Sequence, residues 1–300
     1  MTLKAQSRTN WFDDGGRSYA LFRPDYPPEL AACLASLSAR QGRALDMGCG
    51  TGQLTLQLAE HFTDVVGLDP SREQLENAPA HARVTWLCAQ AEDIPLNDAS
   101  ADLIVAAQAA HWFDRPAFYA EARRLAAPCA VIALVSYGVL RLDNAALNDR
   151  FARFYHDEIG PFWPPERKLV DGGYAGIEFP FKELPAPTLA IERDWELGEF
   201  LGYISTWSAV RRVIEAEREE ILSIFTRDIS ELWNGNECLQ HVTWPINMRI
   251  GRLWPSLLPA SAIAKPCVSS CAIRASASPD WPRFSDMPPV FATAMMAGFM

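Results

Sequence analysis

The sequence predicts an α/β fold in which an open, mainly parallel sheet carries helices on both faces. First, short apolar runs in the first half of the chain have the length and the content of branched aliphatic residues that buried parallel strands show. Second, helical segments separate these runs, as in sheets built from strand–helix–strand units. Third, a glycine-rich turn follows the first run. Together these features predict a Rossmann-like architecture. The predicted strands are Ala44-Leu45 and residues 63–69, 83–87, 101–107 and 130–136.

The turn after the first strand is the best-defined motif of the chain. Residues 44–54 read Ala-Leu-Asp-Met-Gly-Cys-Gly-Thr-Gly-Gln-Leu, and a helical pattern follows. Glycine has no Cβ, so Gly48, Gly50 and Gly52 would bring backbone N–H groups close to a ligand. The spacing D-x-G-x-G-x-G differs from the dinucleotide fingerprint G-x-G-x-x-G. Asp46 suits a ligand with a positive ammonium, such as S-adenosylmethionine (SAM), better than a pyrophosphate.

A second acid closes the second predicted strand. Asp69 lies seventeen residues after Gly52, where a carboxylate would hold the ribose diol of a nucleoside through both hydroxyls. Pro70 and Ser71 then open a helical stretch that reaches Ala78, so Asp69 is alternatively a helix cap. The spacing from the glycines favours the ribose contact.

The ends of the third and fourth strands should face the same crevice, because the carboxyl ends of parallel strands meet at one edge of a sheet. After the third strand, Gln90, Glu92 and Asp93 are candidates for contacts with adenine, although Asp93 alternatively only solvates a loop. After the fourth strand, Gln108 and His111 would lie where cofactor meets substrate. His111 is a candidate general base or substrate hydrogen-bond partner, and alternatively a packed loop residue.

Two segments, at about residues 10–28 and 139–235, are predicted to form lids. In the first, Tyr19, Phe22 and Arg23 share one helical face that would close over a ligand carboxylate or would belong to a surface helix. The second is rich in aromatic residues, which would form an apolar substrate pocket or the core of an extra subdomain. The pattern predicts helices over residues 147–159, 197–206 and 210–233, and strands over 188–192 and 240–249, the last at a sheet edge because of Pro245.

The chain divides into a predicted domain, residues 1–253, and a predicted tail of low order, residues 254–300. The tail carries many prolines, few charges and no sustained hydrophobic period, so it would not bury a core of its own. Natural linkers usually carry more charge. We therefore hypothesise that the tail derives from a shifted reading frame.

Composition argues against several classes of function. The net charge is −10 and no cluster of Lys and Arg forms a basic stripe, so we expect no nucleic-acid partner. The sequence has neither a signal-peptide core nor a run of about 18 apolar residues, which predicts a cytoplasmic protein without a membrane partner. The seven cysteines lack the spacing of metal ligands, so no metal is expected. The oligomeric state stays open.

Four stretches together resemble the successive motifs of class I SAM-dependent methyltransferases. They read Leu-Asp-Met-Gly-Cys-Gly-Thr-Gly from Leu45, Val-Gly-Leu-Asp-Pro-Ser from Val66, Ala-Glu-Asp-Ile-Pro from Ala91 and Ala-Asp-Leu-Ile-Val from Ala101. The first two are specific in combination, and the resemblance covers about residues 10–253. Residues 19–27 and 107–114 further resemble a small-molecule subgroup that includes trans-aconitate methyltransferase-like enzymes.

The resemblance implies a role for the residues of the predicted crevice. Gly48, Gly50 and Gly52 would line the methionine and ribose part of SAM, Asp46 would lie near its amino group, Asp69 would hold the ribose hydroxyls, and Ala91 and Glu92 would flank adenine. Arg23 and Gln108 complete the predicted cofactor-binding set. The sequence departs from the family at Gln90, where many members have an aspartate, and at Pro128-Cys129-Ala130, which replaces Pro-Gly-Gly.

The implied function is transfer of a methyl group from SAM to a small-molecule acceptor, with S-adenosylhomocysteine as the other product. Oxygen, carbon and nitrogen nucleophiles are all open, and a carboxylate is plausible. A carboxylate needs no base, whereas a hydroxyl or carbon acceptor would make His111 the candidate catalytic base. The alternative is a non-catalytic domain that binds SAM or a protein partner. The glycine spacing disfavours an NAD-dependent oxidoreductase.

Overall fold

The computed structural model describes residues 22–253. Residues 1–21 and residues 254–300 lie outside the described part. The predicted contribution of Tyr19, most of the first predicted lid and the predicted tail therefore fall outside it as well.

Nine strands form one sheet in the described chain. Their bounds are β1 Arg43–Met47, β2 Asp64–Asp69, β3 Val84–Cys88, β4 Ala101–Ala107, β5 Ala126–Tyr137, β6 Arg141–Leu142, β7 Lys182–Leu184, β8 Leu189–Trp195 and β9 Gln240–Arg252. The order is β3-β2-β1-β4-β5-β9-β6, with β7 and β8 also paired to β9. Strands β1 to β5 are parallel and β9 runs antiparallel to its neighbours. The predicted Rossmann-like, mainly parallel sheet is confirmed.

The helices flank this sheet and build the insertion that follows β6. Their bounds are α1 Pro28–Leu37, α2 Gln53–Ala59, α3 Arg72–Glu76, α4 Arg115–Leu125, α5 Ala145–Arg153, α6 Arg167–Asp171, α7 Leu197–Ser205, α8 Ser208–Glu215 and α9 Glu219–Trp233. A π-helical turn, Phe154–Glu158, continues α5, and a 3₁₀ turn, Gly160–Phe162, follows it. In residues 22–253, no helix combines the length and the apolar character needed to cross a membrane.

The alternation of side chains along β4 divides the core between the two faces of the sheet. Leu103 and Val105 pack on the face that α1 and α2 cover. Ile104 and Ala106 pack on the opposite face, where Phe118 of α4 is buried. All of these side chains are fully buried. The prediction of helices on both faces is therefore confirmed.

The continuous helix predicted over residues 210–233 is wrong, because α8 and α9 are separate helices. The chain turns at Glu217, whose φ is +54°. Residues 214–218 are all exposed, so no buried side chain marks the helical face there. The hydrophobic period therefore contains no signal of the break.

The edge position predicted for β9 is also wrong, since β9 lies between β5 and β8. The N–H of Gly138 donates to the carbonyl of Pro245 at 2.9 Å, where the chain leaves β5. The N and C=O of one strand residue face the same side. The nitrogen of Pro245, which carries no hydrogen, therefore faces Gly138, beyond the last β5–β9 pair of Tyr137 and Ile246.

Most aromatic side chains of the insertion pack inside it. Phe154 and Phe225 stack with ring centroids 3.7 Å apart, and Trp233 is fully buried. This core belongs to the same buried cluster as one face of the sheet. Of the two alternatives for these aromatic residues, the structure supports the subdomain core.

Candidate active site

A cavity of about 1310 Å³ opens at the carboxyl ends of β1, β2 and β4. The glycine turn after β1 forms one part of its lining, and the loops after β2, β3 and β4 form further parts. The insertion contributes Pro164, Pro165, Glu166, Leu169 and Arg212, and the N-terminal segment contributes Arg23, Pro24 and Tyr26. The cavity therefore lies at the edge of the sheet where the sequence predicted the crevice.

Glycines 48, 50 and 52 of the turn all have positive φ, but they serve different needs. A Cβ on Gly52 would lie 2.3 Å from the ring of Trp86, so packing excludes a side chain there, and Gly52 does not line the cavity. A Cβ on Gly50 would meet only Gln74 Oε1, at 3.9 Å. Gly50 therefore leaves open the space in which a ligand could approach the backbone.

Asp69 holds the glycine turn and the start of α3 together. Its Oδ2 accepts the N–H of Gly50 at 2.9 Å, and its Oδ1 accepts the N–H of Ser71 at 2.8 Å. Its carboxylate is almost buried and lies on the cavity lining. Carboxylate oxygens accept hydrogen bonds from hydroxyl groups, so Asp69 is chemically suited to contact a ligand hydroxyl in the cavity.

Asp69→Ala is expected to weaken SAM binding by about 1–3 kcal/mol, the range for a hydrogen bond to a charged group. The N–H of Gly50 also loses its acceptor in this variant, so the turn is no longer held to β2. Titration calorimetry measures the affinity. The matched control is Asp64→Ala at the opposite end of β2, where Asp64 pairs with Arg43. Equal affinities of the Asp69 variant and wild type would contradict the assignment.

Asp46 presents a buried carboxylate to the cavity with one oxygen unused. Thr55 Oγ1 donates to Oδ2 at 2.6 Å, whereas Oδ1 is buried and has no hydrogen-bond partner among the described residues. Burial raises the pKa of Asp46 to about 7, and the nearby charge of Asp69 adds to the effect. A buried unpaired carboxylate oxygen is energetically unfavourable. The site therefore fits a ligand that brings a positively charged N–H donor.

The segment after β3 lines the cavity with Gln90, Ala91 and Glu92. Oε1 of Glu92 accepts the N–H of Asp114 at 2.8 Å, so Glu92 also fixes the loop that begins α4. Asp93 is exposed and does not line the cavity, which supports its alternative role in a solvated loop.

Gln108 follows β4 in a backbone conformation that is uncommon for a residue with a side chain. Its φ is +54°, and its Nε2 donates to the carbonyl of Tyr137 at 3.1 Å. Strain of this kind persists where the surrounding structure enforces it, and it concentrates at functional sites. Gln108 thereby joins the ends of β4 and β5 on the cavity lining.

His111 lines the cavity and contacts Tyr174, with Nδ1 2.9 Å from the hydroxyl oxygen. Burial and, secondarily, the positive charge of Arg167 lower the pKa of His111 to about 3. The imidazole is therefore neutral at physiological pH. It is also a weak base, because its conjugate acid loses the proton so readily.

Two of the arginines on the lining, Arg23 and Arg212, lie far apart in the chain. Nη1 of Arg23 donates to the hydroxyl of Tyr137 at 3.0 Å, and Nη1 of Arg212 donates to the carbonyl of Phe162 at 3.3 Å. Arg23 was predicted at the crevice. Arg212 and Tyr137 were not, because no motif marks them: Arg212 reaches the lining through the insertion, and Tyr137 ends β5. Tyr174, also unpredicted, contacts His111 from behind the lining.

Comparison with known proteins identifies the family. The pattern of the family described as "Methyltransferase domain" matches residues 45–134. A protein of Dictyostelium discoideum that is named as a methyltransferase is 33% identical over 263 residues, which cover 84% of this chain and 99% of that protein. The chain belongs to the class I SAM-dependent methyltransferases.

Other relatives of this methyltransferase agree with that placement. A solved structure from Anaeromyxobacter dehalogenans, described as a type II methyltransferase, is 44% identical, with a TM-score of 0.73 and coverage of 78% of this chain and 99% of that one. A malonyl-[acyl-carrier protein] O-methyltransferase of Hahella chejuensis is 38% identical over 109 residues, which cover 33% of this chain and 39% of that protein. The predicted family and enzyme class are confirmed, while the trans-aconitate-like subgroup stays a prediction.

Proposed function

We propose that this methyltransferase binds SAM in the described cavity and transfers its methyl group to the carboxylate of a small molecule. The observation that carries the choice of acceptor is the burial of His111 close to Arg167. The resulting low basicity of the His111 imidazole disfavours acceptors that must lose a proton, such as hydroxyl or carbon acids. A carboxylate is already ionised at neutral pH and needs no base.

The cavity lining carries charges of both signs, and its arginines offer partners for an anionic acceptor. The guanidinium groups of Arg23 and Arg212 both lie on it, and Arg167 adds positive charge near His111. Guanidinium is the side-chain group best matched to the planar geometry of a carboxylate. The O-methyltransferase named above is consistent with an oxygen nucleophile.

Residues at the glycine turn would hold SAM. Oδ1 of Asp46 would accept a hydrogen bond from the ammonium of SAM, and Asp69 would accept one from a ribose hydroxyl. Gly50 would let the ligand approach the backbone, and Ala91 and Glu92 would lie beside the adenine. SAM supplies a methyl group that is already activated by a positive sulfur. The protein therefore contributes mainly alignment of the nucleophile and exclusion of water. Arg23, Arg212 and Gln108 would orient the acceptor, and the insertion would shield it.

The proposal is tested with a panel of small carboxylic acids and their matched primary amides, followed by mass spectrometry of the products. We expect methyl esters from one or more acids and no methylation of the corresponding amides. Methylation of the amides or of alcohols, with the acids left unmethylated, would contradict the carboxylate proposal.

Arg212→Gln is expected to raise the KM for the carboxylate acceptor about tenfold or more, because a hydrogen bond to a charged group is lost. The Kd for SAM should stay at the wild-type value. The matched control is Arg211→Gln, which changes the preceding residue of α8, outside the cavity lining. An unchanged KM in the Arg212 variant would remove it from the acceptor site.

A further inference from the structure

The contact between His111 and Tyr174 restricts what His111 can do in the cavity. Tyr174 lies in the turn after α6, at φ +61°, and is fully buried. Its hydroxyl oxygen meets Nδ1 of His111, whereas His111 itself is only partly buried and lines the cavity. Nε2 is therefore the ring nitrogen that is left to face a ligand.

The direction of this hydrogen bond follows from the burial of the Tyr174 hydroxyl. A buried hydroxyl needs an acceptor for its own hydrogen, and Nδ1 of His111 is the hydrogen-bond partner of this hydroxyl among the described residues.

Burial of the ring, and secondarily the charge of Arg167, disfavour the doubly protonated form of His111. The guanidinium of Arg167 is bonded to Tyr155 and Asp171 and stacks over the ring of Trp163 at 4.8 Å, so it is held in place. The positive charge of Arg167 opposes a second positive charge on His111. With Nδ1 accepting and the ring neutral, the single ring proton must lie on Nε2.

We propose that Tyr174 is a positioning residue that holds His111 as the neutral Nε2–H tautomer, so that His111 offers a hydrogen-bond donor, and not a base, to the methyl acceptor. The role toward the acceptor rests on the proposed function, because it requires an acceptor with lone pairs in this cavity. A carboxylate oxygen that is not being methylated is such a group. The tautomer itself does not depend on the identity of the acceptor.

The tautomer is tested in the free protein by ¹⁵N NMR of labelled histidine side chains. The chain has five histidines, and the signals that disappear in His111→Gln identify His111. We expect an unprotonated Nδ1 and a protonated Nε2 that persist between pH 8 and pH 5. Tyr174→Phe should populate both tautomers. Tyr119→Phe is the matched control, since it removes a buried tyrosine hydroxyl bonded to the carbonyl of Glu178, away from the cavity.

A proton on Nδ1 in the wild-type protein would overturn the proposal, as would a Tyr174→Phe spectrum identical to wild type. Failure of the proposed function gives a different pattern. In that case no carboxylic acid is methylated, while the NMR result for His111 and Tyr174 stands.

Kinetics separate a donor from a base at position 111. Glutamine carries an N–H donor without basicity, so His111→Gln should retain activity within about tenfold of wild type, whereas His111→Leu should lose more. A general base would make the two variants equally poor, with losses of about 10²–10⁴-fold. That equality, in folded variants that still bind SAM, would contradict the donor role. Tyr174→Phe should raise the acceptor KM about tenfold and leave the Kd for SAM unchanged.

Discussion

Gly50→Val is expected to abolish SAM binding while the protein stays folded. A Cβ at this position meets no protein atom closer than Gln74 Oε1, at 3.9 Å, so the branched side chain would extend into the cavity. There it would occupy the space that the ligand needs beside the backbone. The expected calorimetric result is no measurable SAM heat in the variant, with a circular dichroism spectrum like that of wild type.

Backbone strain is the competing effect, since Gly50 has a φ of +56°. This backbone conformation costs a residue with a side chain about 1–2 kcal/mol. The substitution therefore lowers the free energy of unfolding in addition to any effect on binding. Gly235→Val is the matched control, because Gly235 also has a positive φ, +112°, and a Cβ there meets nothing within 4 Å. If the Gly50 variant bound SAM like wild type, the turn would not form the cofactor site.

Asp46→Asn is expected to change stability and binding in opposite directions. Burial raises the pKa of Asp46 from 3.8 to about 7 in the folded protein. Between about pH 4 and pH 7 the folded protein therefore holds a proton that the unfolded chain has released. The stabilisation from this proton is complete below about pH 4 and is lost as the pH rises through about 7.

At pH 8, then, the ionised carboxylate of the free protein lowers stability, and asparagine removes that charge. We expect a higher Tm for the ligand-free Asp46→Asn variant, with a gain in unfolding free energy of at most about 4 kcal/mol. SAM binding should weaken about tenfold or more, since the partner of the ligand's ammonium becomes neutral. Thermal unfolding and calorimetry at pH 8 measure the two effects.

The same reasoning predicts a pH dependence of SAM affinity. In wild type, affinity should rise between pH 6 and pH 8 as Asp46 ionises, and in the asparagine variant this rise should disappear. Asp102→Asn is the control, because Asp102 is another buried acid but accepts hydrogen bonds from Arg40 and from the N–H of Gly42, away from the cavity. It should lower stability and leave SAM affinity unchanged. Unchanged SAM affinity in the Asp46 variant, together with weakened SAM affinity in the Asp102 variant, would contradict the role of Asp46.

The sequence determined the parallel half of the fold nearly element by element. Strand β4 has the predicted bounds, and α4 buries Phe118, Ala122 and Leu125 at helical spacing. These elements were predictable because burial on a sheet imposes a hydrophobic period, and because caps such as Asp114 mark where a helix begins. The glycine turn was predictable for a related reason. Backbone positions with positive φ favour glycine, so the residue type itself marks the turn.

The cofactor half of the candidate site followed from that part of the fold. Asp46, Gly50 and Asp69 lie within or directly after predicted strands, so placing the strands placed these residues at the cavity. Their contacts with SAM, and the cytoplasmic location and absence of nucleic-acid partners expected from composition, stay predictions.

Only the tertiary structure decided the environment of His111 and the shape of the acceptor side. Tyr174 lies 63 positions from His111 in the chain, and Arg212 reaches the cavity only because the insertion folds back over the sheet. The interior position of β9 likewise depends on partners that pair with it from both sides. Periodicity and capping report local constraints on the chain. A pKa, a tautomer or a shared cavity wall depends on contacts between distant residues, and no local pattern encodes them.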